Sequence, residues 1–192
     1  YVLDKWSSGH PGQKFSVVAK SIDGPSFEAK INQDKEFESA SIHKLFTLVP
    51  LFAQIPLEHQ KNINVTVGGS KKSIATCVDL MLRLSNNECE KSVGDYLDWK
   101  KASASLKKDG FSHTSFTSKN TNVRTTADDT ATLLQKLNGD LLTRTARDAV
   151  LRSMKEQRIR SGIPAACPGC SVANKTDESD QLAHDAGIVQ YS

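Results

Sequence analysis

Sequence patterns typical of β-strands lie at both ends of this chain, and a long helical block separates them. Residues 15–32 read as a hairpin, because two β-rich runs flank the turn sequence DGPS. Residues 170–192 read as two strands around a polar turn. Strands from both chain ends can share a sheet only if the intervening helices pack against it. The sequence therefore predicts an α+β fold: an antiparallel sheet from both chain ends packed against a helical middle region.

The middle of the chain is predicted to be helical from its apolar spacing and its terminating residues. Residues 73–85 place apolar side chains at helical intervals. Thr126 and Asp129 form a capping box at the start of another helix, and Gly139 lies where that helix should end. The remaining predicted elements are a helix over 41–55 that Pro50 bends or interrupts, a helix over 88–106 with one internal glycine, a helix over 143–157, and a strand or loop with a Gly-Gly turn over 65–73.

Length and charge narrow the class of protein. The 192 residues suit one domain spanning 1–192, with residues 1–13 as an irregular N-terminal extension. The net charge of +3, from 25 basic and 22 acidic residues, is too small to indicate nucleic-acid binding. Because no run of about 18 apolar residues occurs, no membrane span is expected.

Four cysteines bear on the cellular compartment: Cys77, Cys89, Cys167 and Cys170. Two local pairs fit two disulfides in an oxidising compartment, and four buried thiols in a cytosolic protein are the alternative. Zinc is less favoured, because none of the five histidines lies at a ligand spacing from a cysteine. The CPGC sequence is similar to redox motifs, but those open a helix and a strand-like run follows here. We therefore predict a loop disulfide at this position.

Catalytic chemistry is indicated first by Ser41 and Lys44, a Ser-x-x-Lys pair. Residues three apart share a helix face, so these side chains can touch. Two such pairs occur, no more than chance supplies from 21 serines and 18 lysines, and the second is Ser105 with Lys108 in a polar helix end. Ser41 instead lies at the start of an apolar helix, near free backbone N–H groups. Burial of Lys44 among apolar neighbours favours a neutral amine that can act as a base.

Two later patterns complete the candidate site. Ser85 and Asn87 form a Ser-x-Asn just after an apolar helix, and Lys175 with Thr176 lies on a late strand. Each pattern recurs elsewhere, at 118–120 for the first and at 72–73 and 91–92 for a lysine followed by a hydroxyl residue. The order of the three patterns is more informative than any one of them, because each lies in the kind of element that supports its chemistry.

With these motifs in this order, the chain resembles the penicillin-recognising serine hydrolases, most closely the class A β-lactamases. The resemblance covers residues 14–192 and rests on further segments besides the three motifs. These are VDLMLRLSNNE, similar to the family's helix ahead of Ser-Asp-Asn, TTADDTATLLQKL, similar to its Thr-Thr helix opening, and QRIRSGIPAACPGCSVANKTD, similar to the segment leading into its Lys-Thr-Gly strand.

The resemblance implies catalytic roles for three residues. Ser41 would be the acylated nucleophile. Lys44 would take the Ser41 proton, directly or through water. Ser85 would pass a proton to the departing nitrogen of the substrate.

The resemblance also implies how a substrate is held. Asn87 would bind the side-chain amide of the substrate, and Lys175 and Thr176 would bind its carboxylate. The backbone N–H groups of Ser41 and Glu178 would form the oxyanion hole, where each donor typically contributes about 3 kcal/mol.

The sequence departs from the family in three respects. Asp177 replaces the glycine of Lys-Thr-Gly and brings bulk and negative charge near Lys175. Class A β-lactamases carry a deacylating glutamate on the loop before the Thr-Thr helix, but no Asp or Glu occurs between Asp109 and Asp128. Finally, this chain stops at Ser192, without the family's last strand and helix. Because that strand would lie between the N-terminal and late strands, its absence would split the sheet. We expect that further residues follow Ser192, and the alternative is that another segment takes the place of the strand.

The cysteines gain meaning from the same resemblance. Cys77 and Cys89 bracket the Ser-Asn-Asn segment, so a disulfide between them would pin the Ser85 loop. The alternative is that Cys77 simply packs in the core.

Taken with its departures, the resemblance implies a serine hydrolase acylated at Ser41 by β-lactams or D-Ala-D-Ala peptides. Deacylation should be slow, because the loop base is missing. The alternative is a degenerate penicillin-recognising fold that serves as a cell-wall binding module. We expect a periplasmic or extracellular monomer, possible membrane anchoring outside this chain, a small-molecule partner, and neither cofactor nor metal.

Overall fold

The computed structural model describes residues 2–117, 123–179 and 181–191, and in these it has nine α-helices and eight strands. The helices are α1 (Val2–Gly9), α2 (His43–Gln54), α3 (Leu57–Gln60), α4 (Ile74–Leu84), α5 (Asn87–Leu97), α6 (Trp99–Lys108), α7 (Ala127–Asn138), α8 (Arg144–Lys155) and α9 (Ile163–Ala166). The strands are β1 (Val17–Lys20), β2 (Glu28–Ile31), β3 (Phe37–Glu38), β4 (Asn64–Val67), β5 (Ser70–Ser73), β6 (Arg124–Thr125), β7 (Ser171–Glu178) and β8 (Ala183–Gln190).

Helix α2 is the centre of the core. It is apolar on nearly every side, which is the pattern of a helix surrounded by protein. Leu45, Phe46, Leu48 and Leu51 have no exposed surface. The helix continues through Pro50 to Gln54, so Pro50 does not end it. Helices α4, α5 and α6 pack around α2, which places the residues just before α2 next to the start of α5.

The N-terminal segment confirms one prediction and contradicts another. Strands β1 and β2 pair antiparallel, with Val17 opposite Ile31, as the hairpin pattern predicts. The expectation that residues 1–13 are irregular is wrong, because α1 forms there. Trp6 stacks on His10 one turn later, at 4.5 Å between ring centroids, and meets Phe15 edge-on. These local aromatic contacts stabilise a helix that the polar sequence does not indicate.

The long helix predicted over 88–106 is also wrong in one detail, because it is broken into α5 and α6. Asp98 takes a φ of 66° between them, and its carboxylate accepts hydrogen bonds from the backbone N–H groups of Lys100 and Lys101. The side chain of Trp99 then folds back onto Gly94, where a Cβ atom would lie 1.8 Å from the indole ring. The internal glycine therefore makes room for a tryptophan at the helix corner.

Among the described residues, the strands of the two chain ends do not share one sheet. Strands β7 and β8 pair antiparallel over eight residues, while β1 and β2 form a separate two-stranded sheet. Helix α7 packs against both hairpins. A cleft of about 2230 Å³ lies between the hairpins and is lined by Val18, Ala19, Ile188 and Val189 among others. The candidate catalytic side chains do not line this cleft. Of the candidate site, the turn that precedes α2 contributes to the wall of the cleft.

The two cysteine pairs differ in the structure. Cys167 and Cys170 form a disulfide, which confirms the loop disulfide. Cys77 and Cys89 are free thiols whose sulfur atoms lie 2.7 Å apart, so the structure does not contain the second predicted disulfide. Both thiols are buried where α4 meets α5, and burial raises the pKa of Cys77 to about 12. A thiol in this state is a poor nucleophile and packs as a small apolar side chain.

Candidate active site

Ser41 lies in a tight 3₁₀ turn, Ala40–Ile42, that leads directly into α2. The turn is entered through Ala40, whose φ of 44° is left-handed. A non-glycine residue held there costs about 1–3 kcal/mol, and such strain is typical of functional sites. Ser39 secures the turn, because its hydroxyl donates to the carbonyl of Val123 at 2.9 Å. The turn thereby holds Ser41, which is 8% exposed, at the rim of the core.

Lys44 follows on the first turn of α2, and its ammonium group is surrounded by oxygen atoms. Its Nζ lies 2.9 Å from Ser41 Oγ and 2.7 Å from Asn87 Oδ1. The third neighbour is Glu90, whose Oε2 lies 3.2 Å from the same nitrogen. The side chain of Lys44 is 1% exposed. Three partners match the three donors of an ammonium group, so a buried lysine is accommodated without an unpaired proton.

Ser85 forms the C-cap of α4 in a left-handed conformation, with a φ of 59°. Its backbone N–H donates to the Leu80 carbonyl and ends the helix. Its hydroxyl oxygen is buried and has no hydrogen-bond partner among the described residues. A strained backbone that carries an unpaired buried hydroxyl is unfavourable for stability alone, and it is common at sites that bind or transform a ligand.

Asn87 is the first residue of α5, and only two residues separate the end of α4 from it. Asn86 caps the new helix, because its Oδ1 accepts a hydrogen bond from the Cys89 backbone N–H at 2.7 Å. This short connection fixes the direction of α5. Asn87 can therefore present its carbonyl oxygen to Lys44 across the interface between α2 and α5.

Lys175 and Thr176 lie side by side on β7, and both are buried. Lys175 Nζ donates to the carbonyl of Thr176 at 2.5 Å, and Thr176 Oγ1 donates to the carbonyl of His184 on β8 at 2.7 Å. The pKa of Lys175 is lowered to about 8, and burial is the largest cause and the positive charge of Lys44 the second. Strand β7 packs against the Ala40–Ile42 turn, so this second cation lies near the Ser41 site.

Asp177 and Glu178 end β7. The negative charge of Asp177 acts on Lys175 and favours its ammonium form, although burial outweighs this effect. Asp177 lies opposite His184 on β8. The side chain of Glu178 is engaged elsewhere, because its carboxylate accepts a hydrogen bond from the Ser161 hydroxyl at 2.5 Å. For Glu178, only the backbone N–H is a candidate for the oxyanion hole.

The segment before β7 is tied to the late hairpin by buried polar contacts. Arg160 donates to Asn174 Oδ1 at 2.9 Å and to the Val172 carbonyl at 3.0 Å. Asp185 of β8 accepts from the Ile163 backbone N–H at 2.7 Å. A Cβ atom on Gly162 would lie 2.2 Å from the Asp185 carboxylate. The Arg-x-Gly pattern is therefore structural here, since it places the lysine-bearing strand.

The loop between α6 and α7 is anchored at its start. Asp129 Oδ2 accepts from the Thr114 hydroxyl at 2.8 Å and from the His113 backbone N–H at 3.1 Å. Thr126 caps α7 by accepting from the Asp129 N–H, so half of the predicted capping box is present. Residues 118–122 of this loop, with the second Ser-x-Asn at 118–120, lie outside the described residues.

Sequence reasoning missed Glu90 and His43. Glu90 is 3% exposed, and its Oε1 lies 2.6 Å from His43 Nε2. Glu90 follows Asn87 by three residues on a helix, so the two share a face. That spacing is a signal in the sequence, but it gains meaning only when α5 is packed against α2. His43 is adjacent to Lys44 in the sequence, but no motif marked it as part of the site.

A comparison with protein families identifies the chain. The family model described as "Beta-lactamase enzyme family" matches residues 2–192. The chain belongs to the β-lactamase enzyme family. Its members' serine hydrolase chemistry agrees with a serine and a lysine in contact at the start of the core helix. A comparison with curated proteins found no significant match.

Solved structures of the β-lactamase fold resemble this family member closely in shape and weakly in sequence. TLA-3 extended-spectrum β-lactamase has 17% identity and a TM-score of 0.85, over 98% of this chain and 82% of that chain. A β-lactamase from Sphaerobacter thermophilus has 16% identity and a TM-score of 0.84, over 99% and 83%. A mutant of PBP-A in acyl-enzyme complex with penicillin G has 22% identity and a TM-score of 0.73, over 84% and 70%. These similarities confirm the α+β fold of the family.

The described part of this β-lactamase family member contains neither a metal-binding cluster nor a membrane-spanning helix. Among residues 2–117, 123–179 and 181–191, no group of three or more His, Cys, Asp or Glu side chains could hold a metal ion. Within the same described ranges, no helix has the length and apolar character needed to cross a membrane.

Proposed function

We propose that this protein is a serine hydrolase whose Ser41 is acylated by β-lactams or by D-Ala-D-Ala peptides. The observation that carries the proposal is the contact of Lys44 Nζ with Ser41 Oγ at 2.9 Å inside a buried site. A serine becomes a strong nucleophile when a base lies within hydrogen-bond reach, and Lys44 is such a base. Family membership supports the same chemistry.

In the proposed acylation, Ser41 Oγ attacks the carbonyl carbon of the substrate as its proton passes to Lys44. The backbone N–H groups of Ser41 and Glu178 stabilise the oxyanion. When the C–N bond breaks, Ser85 gives its proton to the nitrogen and regains one from Lys44. The buried hydroxyl of Ser85, without a partner among the described residues, fits a group that bonds to substrate.

Two further contacts are proposed to hold the substrate. Lys175 and Thr176 bind its carboxylate, since a buried ammonium group favours an anion. Asn87 binds the side-chain amide of the substrate through its NH₂ group, because its carbonyl oxygen already accepts from Lys44.

Deacylation is proposed to be slow. Hydrolysis of the acyl-enzyme needs a base that activates water, and the loop over residues 111–126 contains neither Asp nor Glu. Losing such a base typically costs about 10²–10⁴-fold in rate. We therefore expect the acyl-enzyme to accumulate.

The test is incubation with a fluorescent penicillin followed by intact mass measurement. The expected result is a persistent adduct at one site, absent from Ser41→Ala. Ser105→Ala is the matched control, because Ser105 belongs to the other Ser-x-x-Lys pair and bonds to Asp109 instead. If no adduct forms at any penicillin concentration, the proposal that this protein is a serine hydrolase is refuted. Rapid hydrolysis of a chromogenic cephalosporin would refute the proposal of slow deacylation.

A second candidate function is a binding module that has lost turnover. It is favoured by the β7 side of the site, where Lys175 donates to its own strand and Thr176 donates to β8. Asp177 adds a negative charge where an anionic substrate would bind. Reversible binding of peptidoglycan peptides with no adduct on Ser41 would support this function over the first.

The proposed setting is the cell envelope. The Cys167–Cys170 disulfide supports an oxidising compartment, either periplasmic or extracellular. We propose a monomer acting on a small-molecule substrate, and sedimentation analysis of the purified protein tests the oligomeric state.

A further inference from the structure

Glu90 connects the catalytic lysine to a histidine through one buried carboxylate. Its Oε2 lies 3.2 Å from Lys44 Nζ, and its Oε1 lies 2.6 Å from His43 Nε2. Its side chain is 4% exposed, and that of His43 is 13% exposed. The contacts form a continuous series from Ser41 through Lys44 and Glu90 to His43.

We infer that Glu90 is the proton acceptor for Lys44, a positioning residue that prepares the lysine amine to take the proton of Ser41. The inference rests on the proposed acylation of Ser41. It places a carboxylate of this site on the first turn of α5, whereas the family resemblance implies one on the loop between α6 and α7.

The proton balance follows from the geometry. A lysine that begins the reaction as an ammonium ion cannot act as a base until it loses a proton. Lys44 gives that proton to Glu90 Oε2, which leaves an amine and a carboxylic acid. The amine then takes the Ser41 proton as the O–C bond forms and the carbonyl electron pair moves to oxygen. After Ser85 has relayed one proton from Lys44 to the departing nitrogen, Glu90 returns its own proton to Lys44, and the site is reset.

Burial favours this internal transfer. In a low-dielectric site a pair of separated charges is costly, whereas an amine beside a carboxylic acid carries no charge. When a substrate excludes water from the site, the free-energy difference between the ion pair and the neutral pair therefore becomes smaller. The charged or titratable groups around Glu90 are His43 and Lys44 of α2 and, through its electrostatic influence, Lys175 of β7. In the tautomer with a proton on Nε2, His43 donates to Oε1 and holds the carboxylate in place.

The same contacts assign Glu90 to acylation and not to deacylation. Both of its oxygen atoms are engaged by nitrogen atoms of α2, at 2.6 and 3.2 Å. A base for hydrolysis must instead hold a water against the acyl carbon. Slow deacylation and an acylation step assisted by Glu90 are therefore compatible.

The test compares Glu90→Gln with the wild type across a range of pH. Gln keeps the shape and cannot accept a proton as a carboxylate does. Glu88→Gln is the matched control, because Glu88 lies on the same helical turn but is exposed. The measurements are the second-order rate of labelling by a fluorescent penicillin and, separately, by a fluorophosphonate. The second probe reports the nucleophilicity of Ser41 without any need for β-lactam recognition.

At pH 7 we expect Glu90→Gln to label about 10²–10⁴-fold more slowly than the wild type, and Glu88→Gln to match it. The ratio of variant to wild-type rate should rise with pH, because bulk solvent then removes the proton that Glu90 no longer accepts. A merely structural role predicts a ratio that does not change with pH. Because the charge of Glu90 itself raises the pKa of Lys175, the ratio that decides is taken from the fluorophosphonate series, in which no substrate carboxylate has to be bound.

The outcomes separate this inference from the proposed function. Equal labelling of Glu90→Gln and wild type, or a deficit independent of pH, overturns the role of Glu90 only. If the wild type reacts with fluorophosphonate but not with penicillin, the proposed substrate fails, and the fluorophosphonate series still decides the role of Glu90. If neither probe labels the wild type, both fail. Should Glu90→Gln not fold, Glu90→Asp retains a displaced carboxylate and should label at an intermediate rate, and wild-type labelling in that variant would also overturn the inference.

Discussion

The two sides of the site are built differently. On the helical side, Lys44 contacts Ser41, Asn87 and Glu90. The positive charge of the lysine is balanced within this group by the Glu90 carboxylate. On the strand side, Lys175 donates to the Thr176 carbonyl of its own strand and lies near Asp177.

The difference separates reactivity from recognition. The helical cluster needs no ligand to complete its hydrogen bonds around Lys44, so the proposed nucleophile is already held beside its lysine in the free protein. On the strand side, the cation already donates to the Thr176 carbonyl and lies near the Asp177 carboxylate, and both compete with an anionic ligand. We therefore expect changes on the helical side to affect acylation and stability, and changes on the strand side to affect mainly affinity.

The largest effect is expected for Lys44→Met. Acylation should fall by at least about 10²–10⁴-fold, because the base is lost. The free energy of unfolding should fall by about 3–5 kcal/mol, because the buried Glu90 carboxylate loses the lysine of its ion pair. Denaturant unfolding and penicillin labelling measure the two effects.

Its control is the double variant Lys44→Met with Glu90→Gln. Removing both charges should restore most of the stability and none of the acylation, because no unpaired charge then remains buried. Equal stability of the single and double variants would contradict a strong ion pair on the helical side.

The next effect is a pH dependence on the strand side. Because the pKa of Lys175 is about 8, its charge is present below pH 8 and is lost above it. Affinity for an anionic penicillin should therefore fall by about 10- to 100-fold as pH rises through 8 to 10, the scale of a lost charge-assisted hydrogen bond. A neutral methyl ester of the same penicillin should show no such fall. Parallel curves for acid and ester would remove Lys175 from substrate binding.

Stability should change with pH in the opposite direction. The pKa of Lys175 is lower in the folded state than the ordinary value of 10.5, so the unfolded chain binds more protons between these values. The contribution of Lys175 to the free energy of unfolding should thus rise between pH 8 and 10.5. Comparison with Lys175→Met isolates this contribution, and the same pH slope in both proteins would contradict it.

A smaller effect is expected for Asp177→Asn. Removing the negative charge near Lys175 should strengthen binding of an anionic ligand by about two- to tenfold, because a partly exposed charge acts through screened solvent. Asp177→Glu is the control that keeps the charge, and Asp177→Gly removes bulk as well. If Asn and Glu bind alike, charge is not what distinguishes this strand from the family pattern.

The smallest effect concerns the thiols beside the helical side. Denatured without reductant, the protein should yield two free thiols, from Cys77 and Cys89, and Cys77→Ala should yield one. Reductant that leaves Cys167–Cys170 intact should not change the acylation rate. A count of zero would instead show a disulfide that pins the Ser85 connection, as the sequence originally indicated.

Local patterns predicted most of the fold. The 15–32 hairpin, the Gly-Gly turn, the helix that ends at Ser85 and the helix that ends at Gly139 all depend on nearest neighbours, and the structure has them. The helix α1 and the break at Asp98 were not predicted. They depend on aromatic contacts, Trp6 with His10 and Trp99 with Gly94, that no apolar periodicity records.

The sequence by itself determined which residues could form the site. Ser41 and Lys44 are three apart at the start of an apolar helix, and three apart on a helix is already contact. Only the tertiary structure decided that Glu90 belongs to the same group, because 45 residues of intervening chain separate it from Lys44 and only the packing of α5 on α2 joins them. Likewise, the charge that Lys175 carries depends on burial and on the nearness of Lys44, and both are properties of the packed molecule.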